Sequence, residues 1–430
     1  MVNRVGGPLT PVLVDLVIDR PVAGGRMLAR HEGRIVLVAG AIPGERVRVQ
    51  ITRTTRHVAW ADVVEVLDAS PDRRLPTCDL ACGGSSYAHI GYPRQLQLKS
   101  EVVADAFRRI GKMTLDRPTP VEPSAEHGYR LRARLQVRDR RAGFLREGTH
   151  EWCDAGATGQ LLPDALAAVN STLDALGDRL GRITSVTLAE NLAATERVLH
   201  LDAGAPLEAV ASLPPVGTLT GITTMAAGRT VVVAGGPTIR DTAGDLFGRE
   251  APIDPAVAWT RHATSFFQGN RFLAGALVAR MLGRSPGGRF VDLYSGVGLF
   301  AIALAARGGQ VLAVEGDRSS GADLACNAEP WGPSVQVLRA SVEDVVAQSP
   351  VNRPDVVVLD PPRTGVSPEA LRGLLSWRVP RLVYVSCDPP TLARDAARIG
   401  AAGYVLESIE AFDFFPNTPH VEVLAVFQRT

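Results

Sequence analysis

Short apolar runs alternate with polar positions over residues 12–67, a pattern typical of β-strands. Turn-forming residues interrupt these runs at Ala23-Gly24-Gly25, Glu32-Gly33 and Pro43-Gly44. Short strands separated by such closely spaced turns predict a small all-β barrel. A linker is expected to follow it at residues 69–76.

The hydrophobic pattern takes a helical period over residues 94–110, and residues 129–146 alternate again and predict a β-hairpin. From residue 289 onward, β-rich segments alternate with amphipathic helices, and this order predicts a parallel, doubly wound sheet. Its strands are predicted at residues 290–294, 311–315, 335–338, 356–360 and 382–386. Two further segments, 404–409 and 421–428, predict a closing antiparallel pair.

The composition is that of an ordinary globular protein. With 430 residues, 46% of them hydrophobic, the chain can form about two or three domains with buried cores, and a disordered or fibrous protein is excluded. The longest apolar stretches are short and interrupted, and the first residues lack the pattern of a signal peptide. We expect a cytoplasmic monomer without membrane contact.

Positive and negative charges nearly cancel, with 46 Lys and Arg against 45 Asp and Glu, so binding of nucleic acid requires a local basic surface. Alternation places one set of arginines on a single strand face: Arg130, Arg132, Arg134, Arg138 and Arg140. Because these charges share one sign, a phosphate-binding surface is favoured over a merely solvated strand. The barrel contains a second candidate set: Arg26, Arg30, Arg34, Arg46 and Arg48.

A glycine-containing loop follows the first strand of the predicted parallel sheet, with the sequence Asp292-Leu293-Tyr294-Ser295-Gly296-Val297-Gly298. Glycine lets backbone amides approach a ligand at a helix N-terminus, and Glu315 at the end of the next strand can accept hydrogen bonds from ribose. Alone, the loop fits a methyltransferase and a dehydrogenase equally well, since Gly296, Gly298 and Ala301 satisfy the G-x-G-x-x-A pattern.

Two later strand ends carry reactive side chains. Asp360-Pro361-Pro362-Arg363 follows the fourth strand, and Ser386-Cys387-Asp388-Pro389-Pro390 follows the fifth. Ligands of open α/β sheets bind at the carboxyl ends of the strands, so both segments are expected to face the glycine loop. Cys387 directly precedes a predicted helix, whose terminal amides favour a thiolate. A single cysteine at a strand end is more often a small buried residue than a nucleophile, but the flanking Asp-Pro-Pro and the position opposite the glycine loop favour the nucleophile.

The last predicted strand supplies a carboxylate, because Glu422 begins an otherwise apolar run. A carboxylate there is costly unless it is satisfied or functional, although a glutamate that faces water at a strand edge has the same pattern. A cysteine and a separate carboxylate are what methylation of uracil carbon 5 requires. The thiolate adds at carbon 6, carbon 5 then attacks a methyl sulfonium, and a base removes the carbon 5 proton so that the thiol leaves.

The order of these motifs resembles that of bacterial RNA uracil-5-methyltransferases, in particular the branch with an N-terminal TRAM domain that modifies 23S ribosomal RNA. The matching segments are Gly25-Arg26-Met27-Leu28-Ala29-Arg30, Pro43-Gly44-Glu45, Ser265-Phe266-Phe267-Gln268-Gly269-Asn270, the Asp292 loop, Asp360-Pro361-Pro362-Arg363, Ser386-Cys387-Asp388-Pro389 and His420-Val421-Glu422. The resemblance implies an OB-like TRAM β-barrel at residues 8–70 and a central α+β domain at 71–92 and 126–257. Residues 93–125 and 258–430 would form a Rossmann-like class I methyltransferase domain.

The resemblance also implies individual roles. Cys387 would be the nucleophile, Glu422 the base, and Phe266 the aromatic residue that stacks on the target uracil. S-adenosylmethionine would be bound by Gln268, Tyr294, Gly296, Gly298, Glu315 and Asp360. The implied substrate is RNA, and ribosomal RNA is the first candidate.

This branch holds an iron–sulfur cluster with cysteines in the spacing Cys-x5-Cys-x2-Cys and a distant fourth. Here Ser85 occupies the third position, Cys78 stands four residues before Cys82, and Cys153 remains as the distant partner. Because the usual arrangement has four thiolates, two alternatives stay open: a [4Fe-4S] cluster on Cys78, Cys82 and Cys153, and a loop that has lost its metal. The odd total of five cysteines argues against a disulfide framework.

Three rival functions share parts of this pattern. A tRNA uracil-5-methyltransferase would use the same chemistry. A methyltransferase for nucleobase amino groups would carry an aromatic residue where Arg363 stands and would need no cysteine. A non-catalytic RNA-binding assembly factor on this fold would have lost Cys387 or Glu422, and both are present.

Overall fold

The computed structural model describes residues 12–177, 183–203, 217–226, 228–348 and 353–430. Its first five strands close into a barrel in the order β1-β2-β3-β5-β4, which confirms the predicted all-β barrel. The strands are β1 Leu13–Pro21, β2 Met27–His31, β3 Arg34–Ala39, β4 Arg46–Thr54 and β5 Val58–Asp68. Their inward residues, such as Ile18, Val36 and Val47, share one core with Tyr87 and Leu98 of the following segment.

The predicted linker is tied to the barrel, since Arg73 Nε donates to Oε1 of the buried Glu45 at 2.6 Å. Helix α1, Tyr92–Arg109, begins two residues before the predicted start and ends one residue before the predicted end. Its Val103 and Phe107 pack in the same core as Leu382 of the C-terminal sheet. A short strand, β6 Val121–Glu122, then joins the edge of that sheet.

The central part of the chain forms a seven-stranded sheet in the order β13-β12-β11-β10-β7-β8-β9. Its elements are β7 Arg132–Arg138, β8 Arg141–Leu145, β9 Trp152–Asp154, α2 Pro163–Leu176, β10 Ile183–Glu190, β11 Arg197–Ala203, β12 Gly221–Ala226 and β13 Arg229–Gly235. Strands β7 and β8 are the predicted hairpin, with Asp139 and Arg140 in its turn at φ of 48° and 60°. Arg140 therefore does not belong to the strand face to which the alternation assigned it.

A two-stranded sheet leads from the central part into the C-terminal part. It consists of β14 Thr238–Thr242 and β15 Ala258–His262, with helix α3 Ala243–Phe247 between them. Thr242 caps α3, since its hydroxyl accepts from Asp245 N at 3.1 Å.

The C-terminal part is a sheet in the order β18-β17-β16-β19-β20-β22-β21-β6 with helices packed against it. Its elements are α4 Ala274–Gly283, β16 Arg289–Leu293, α5 Leu299–Ala306, β17 Gln310–Val314, α6 Arg318–Ala328, β18 Val335–Leu338, α7 Val342–Val346, β19 Val356–Leu359, α8 Pro368–Ser376, β20 Arg381–Ser386, α9 Pro389–Ala401, β21 Tyr404–Phe412 and β22 Glu422–Arg429. Strands β16 to β20 are parallel, and β22 runs antiparallel to β20 and β21. The doubly wound sheet and its closing antiparallel pair are thus confirmed.

Within the described ranges, no helix combines the length and apolar character needed to span a bilayer.

Candidate active site

Cys387 and Glu422 lie at the same edge of the sheet, where β20 ends and the neighbouring β22 begins. The antiparallel register of β20 and β22 pairs Ser386 with Val423. One further step along both strands places Cys387 opposite Glu422. Cys387 is half-buried and Glu422 is only 5% exposed. The fold therefore brings together the thiol and the carboxylate that are 35 residues apart in the sequence.

The thiol of Cys387 is not held as a thiolate. Burial raises its pKa to about 12, and the charge of Glu422 acts in the same direction. The expected stabilisation by the amides of α9 is missing because Pro389 and Pro390 have no N–H groups. The first available amide, that of Thr391, donates instead to the capping carboxylate of Asp388 at 2.8 Å. In this respect the expectation from sequence was wrong.

Further carboxylates lie at the same edge of the sheet. Asp360 directly follows β19, and its Oδ2 accepts from Gln268 Nε2 at 2.9 Å. Burial raises the pKa of Asp360 to about 7. The pKa of Glu422 is raised well above its ordinary value, first by burial and then by the charge of Asp360, while Arg363 opposes the shift. Such a group of carboxyls favours a ligand that carries positive charge.

The glycine loop faces these carboxyls from the end of β16. Gly296 and Gly298 have φ of 56° and 91°, in the left-handed region that favours glycine. Gly298 is the N-cap residue directly before α5. The amide of Gly296 donates to Glu315 Oε2 at 2.8 Å, so Glu315 is anchored to the loop. A small cleft is lined by Phe266, Gln268, Tyr294, Gly296 and Asp360. Five of the predicted site residues therefore share one cleft.

Asp292, at the start of the loop, was not assigned a role from the sequence. It is fully buried, and neither carboxylate oxygen has a hydrogen-bond partner among the described residues. Burial raises its pKa to about 8, and the charges of Asp360 and Glu315 add to this shift. A buried carboxyl without a partner is costly, and a cationic cofactor would offset that cost. Asp292 and the neighbouring Asp360, which lines the cleft, therefore fit the positive charge of S-adenosylmethionine.

Phe266 stands at the mouth of the cleft with 57% of its surface exposed. Its carbonyl oxygen lies 3.9 Å from the position that a Cβ would take on Gly296, so it is adjacent to the glycine loop. An exposed aromatic ring at the mouth of this cleft can stack on a planar base.

The segment before Glu422 is held by buried polar contacts. Lys99, one of two lysines in the chain, forms a fully buried ion pair with Asp413, and its Nζ donates to the carbonyl of Phe415 at 3.1 Å. The amide of Asn417 donates to Gln95 Oε1 at 2.9 Å. Helix α1 therefore positions the loop that leads into Glu422. An amphipathic pattern alone did not reveal this role.

The arginines predicted to form one basic strand face near residue 130 make different contacts in the structure. Arg132 Nε and Nη2 donate to the carbonyls of Ala263 and Thr264 at 2.9 and 3.2 Å. Arg134 forms an ion pair with Asp202 at 3.3 Å. The continuous phosphate-binding face is therefore not formed, because protein groups occupy two of its arginines.

The loop that contains Cys78, Cys82 and Ser85, called the cysteine loop below, does not assemble the predicted set of metal ligands. Cys82 and Cys153 are joined by a disulfide, whereas Cys78 is unpaired. Among the described residues, no group of three or more His, Cys, Asp or Glu side chains is placed to hold a metal. Ser85, which stands where the family has a third cysteine, is buried with its Oγ unpartnered. These residues do not fit a four-cysteine cluster. Cys82 and Cys153 form a disulfide although the odd number of cysteines argued against a disulfide framework.

Comparisons with known proteins agree with the fold and the motifs. The model of the tRNA (Uracil-5-)-methyltransferase family matches residues 254–430, and that of the TRAM domain matches residues 14–64. An uncharacterized RNA methyltransferase of Corynebacterium efficiens is 31% identical over 97% of this chain and 94% of its own length. The 23S rRNA (uracil(1939)-C(5))-methyltransferase of Alkalilimnicola ehrlichii is 33% identical over 94% of both chains.

A solved structure extends the likeness to the whole fold. The tRNA (uracil-54, C5)-methyltransferase of Pyrococcus abyssi, in complex with S-adenosyl-L-homocysteine, has a TM-score of 0.72 with this protein at 23% identity. The alignment covers 96% of this chain and 99% of that one. The family model and the relatives of at least 30% identity remove the ambiguity of the glycine loop between methyltransferase and dehydrogenase. The chain belongs to the family of TRAM-containing, S-adenosylmethionine-dependent RNA uracil-5-methyltransferases.

Proposed function

We propose that this protein methylates carbon 5 of one uridine in 23S ribosomal RNA, with Cys387 as covalent nucleophile and Glu422 as base. The observation that carries the proposal is the register that sets Cys387 opposite Glu422 at the end of β20, near Asp360 of the cleft that the glycine loop lines. A thiol and a separate carboxylate at one point are what the reaction demands.

S-adenosylmethionine would supply the methyl group from its sulfonium. Asp360 and Asp292 would face its positive charges, and Gln268 holds Asp360 in place by a hydrogen bond. Glu315 and the amides near Gly296 and Gly298 would bind the nucleoside part, as at other helix N-termini that follow a first parallel strand. The ring of Tyr294 lines the same cleft.

The chain's own residues then account for each step on the uracil. Phe266 stacks on the base, and Sγ of Cys387, once deprotonated, forms a bond to carbon 6 while the electron pair moves to the carbonyl oxygen at carbon 4. The resulting enolate attacks the methyl group through carbon 5. Glu422 removes the proton from carbon 5, the double bond between carbons 5 and 6 returns, and Sγ leaves with the electrons of its bond.

The choice of 23S rRNA rests on relatives that carry this activity in their names over nearly the full length of the chain. A tRNA substrate is the second candidate, because the similar solved structure acts on tRNA. The Cys387 chemistry is the same for both.

The test uses ribosomal and transfer RNA purified from cells that lack the gene. The purified protein and S-adenosylmethionine labelled in the methyl group are added, and labelled 5-methyluridine is located by nuclease mapping and mass spectrometry. We expect one labelled site in 23S rRNA and no label with Cys387→Ala. Label in tRNA alone would reassign the substrate, and absence of label in both RNAs would refute the proposed activity.

A further inference from the structure

A second cavity of about 250 Å³ adjoins the candidate active site on the side of the cysteine loop. Its polar lining consists mainly of the side chains of Arg130, Arg363 and His420 and the backbone of Gly83 and Gly84. No carboxylate contributes to its lining within the part of the chain that the structure describes. The cavity is therefore basic, in contrast to the acidic cleft beside the glycine loop.

Arg130 is oriented in this cavity by neutral partners. Its Nη1 donates to Gln160 Oε1 at 2.6 Å, its Nε donates to the carbonyl of Arg132 at 2.9 Å, and its guanidinium lies 5.4 Å from the ring centre of Phe144. The neighbouring arginines Arg134 and Arg146, in contrast, form ion pairs with carboxylates. Among the described residues, neither Arg130 nor Arg363 forms such an ion pair.

The cysteine loop supports this arrangement through Gln160. Gln160 Nε2 donates to the carbonyl of Gly83 at 2.9 Å, while its Oε1 holds Arg130. A Cβ on Gly84 would lie 2.5 Å from Gln160 Nε2, so a side chain there would displace the glutamine. The loop therefore positions Arg130 without any metal being required.

Two like charges in one cavity are unfavourable without an anion. Burial lowers the pKa of Arg130, and the charge of Arg363 acts in the same direction. Burial also lowers the pKa of His420 to about 4, so this ring is neutral and adds no third charge. Two guanidinium groups without an ion-pair partner are suited to a phosphate, which each group can bind through two parallel hydrogen bonds.

We propose that this cavity is a phosphate subsite, in which Arg130 and Arg363 hold the RNA backbone next to the target uridine. The inference rests on the proposed function, since it takes an RNA substrate at Cys387 and Glu422 as given. A base that leaves its helix turns its own backbone, and a fixed phosphate would hold that turned conformation. His420, which lines the cavity together with Arg363, stands two residues before Glu422, so the subsite lies next to the place where the target uracil would react.

The test measures the KM for RNA at several KCl concentrations in wild type, Arg130→Gln and Arg146→Gln. Arg146 is the matched control, because it adjoins the same loop but is paired with Asp79 at 2.6 Å. Loss of one phosphate contact should lower the slope of log KM against log salt by about 0.7 in Arg130→Gln. We expect Arg146→Gln to keep the wild-type slope, and calorimetry with S-adenosylhomocysteine reports whether each variant is folded.

An unchanged slope in a folded, active Arg130→Gln would overturn the subsite and leave the proposed function intact. If the wild type methylates no uridine, the proposed function fails instead. If Arg130→Gln does not fold, wild-type enzyme decides the matter with RNAs that carry one neutral methylphosphonate on the 5′ or the 3′ side of the mapped uridine. Weaker binding of one of them by about tenfold supports the subsite, and equal binding of both and of unmodified RNA overturns it.

Discussion

Cys387 and Glu422 lie opposite each other one residue beyond the last paired residues of β20 and β22, Ser386 and Val423. Backbone hydrogen bonds of the sheet therefore set their separation, and no flexible segment lies between either residue and its strand. The loop that precedes Glu422 is itself anchored to α1 by the buried Lys99–Asp413 pair. The proposed nucleophile and the proposed base are thus held in a fixed relation before substrate binds.

Replacement of the base should separate two steps of the reaction. Glu422→Gln retains the size of the side chain but cannot take the carbon 5 proton, so addition and methyl transfer proceed and elimination stops. We expect a covalent complex with radiolabelled RNA, visible as a shifted band on a denaturing gel. RNA with 5-fluorouridine at the target should give the same band with wild type and none with Cys387→Ala. Normal turnover by Glu422→Gln would contradict the assignment.

Binding of the cofactor should activate the thiol of Cys387. Burial and the charge of Glu422 raise its pKa to about 12, and a sulfonium cation nearby would lower it. The rate of alkylation by iodoacetamide should therefore rise with S-adenosylmethionine, and its midpoint should move to lower pH. S-adenosylhomocysteine, which lacks the sulfonium charge, is the control and should have a smaller effect. Cys78 and Cys326 are unpaired as well, so the alkylated residue is identified by peptide mass spectrometry. Equal midpoints with both ligands would rule out this electrostatic coupling.

The carboxyl group of Asp360 should discriminate between these two ligands. Asp360→Asn keeps a partner for Gln268 but removes the charge, so affinity for S-adenosylmethionine should fall by about tenfold more than affinity for S-adenosylhomocysteine. Isothermal calorimetry measures both. Glu369→Gln on α8 is the control, because this glutamate is exposed and pairs only with exposed Arg372. Parallel losses for both ligands would show that Asp360 has a structural role only.

Alanine substitutions at two adjacent glycines of the barrel test whether the barrel affects the activity of the candidate active site. Gly24 and Gly25 have φ of 89° and 88°, so an alanine strains the backbone about equally at either position. A Cβ on Gly25 would lie 2.7 Å from Cγ of Pro419, three residues before Glu422, whereas one on Gly24 meets nothing within 4 Å. Gly25→Ala should therefore reduce the kcat of methylation several-fold more than Gly24→Ala, and both should lose similar thermal stability from backbone strain. Equal kcat values would mean that the barrel contact does not affect the base.

Much of the C-terminal architecture could be predicted from the pattern of apolar residues. The strand at residues 335–338 was predicted with its observed bounds, and the other parallel strands differ by one residue at one or both ends. Buried parallel strands are short, continuous apolar runs that end in turn residues, and this signal is local. Because reactive residues of such sheets lie at strand ends, the positions of Cys387 and Glu422 in the site followed from the same pattern.

The barrel, the doubly wound sheet and the side chains of the candidate site could thus be read from the order of residues, since each depends on neighbours along the chain. The raised pKa of Cys387, the ion pair of Lys99, the disulfide of Cys82 and the neutral partners of Arg130 became visible only in the folded chain. These properties depend on burial and on charges from distant segments. Because solvation and Coulomb energies follow distance in space, a pattern along the chain does not contain them.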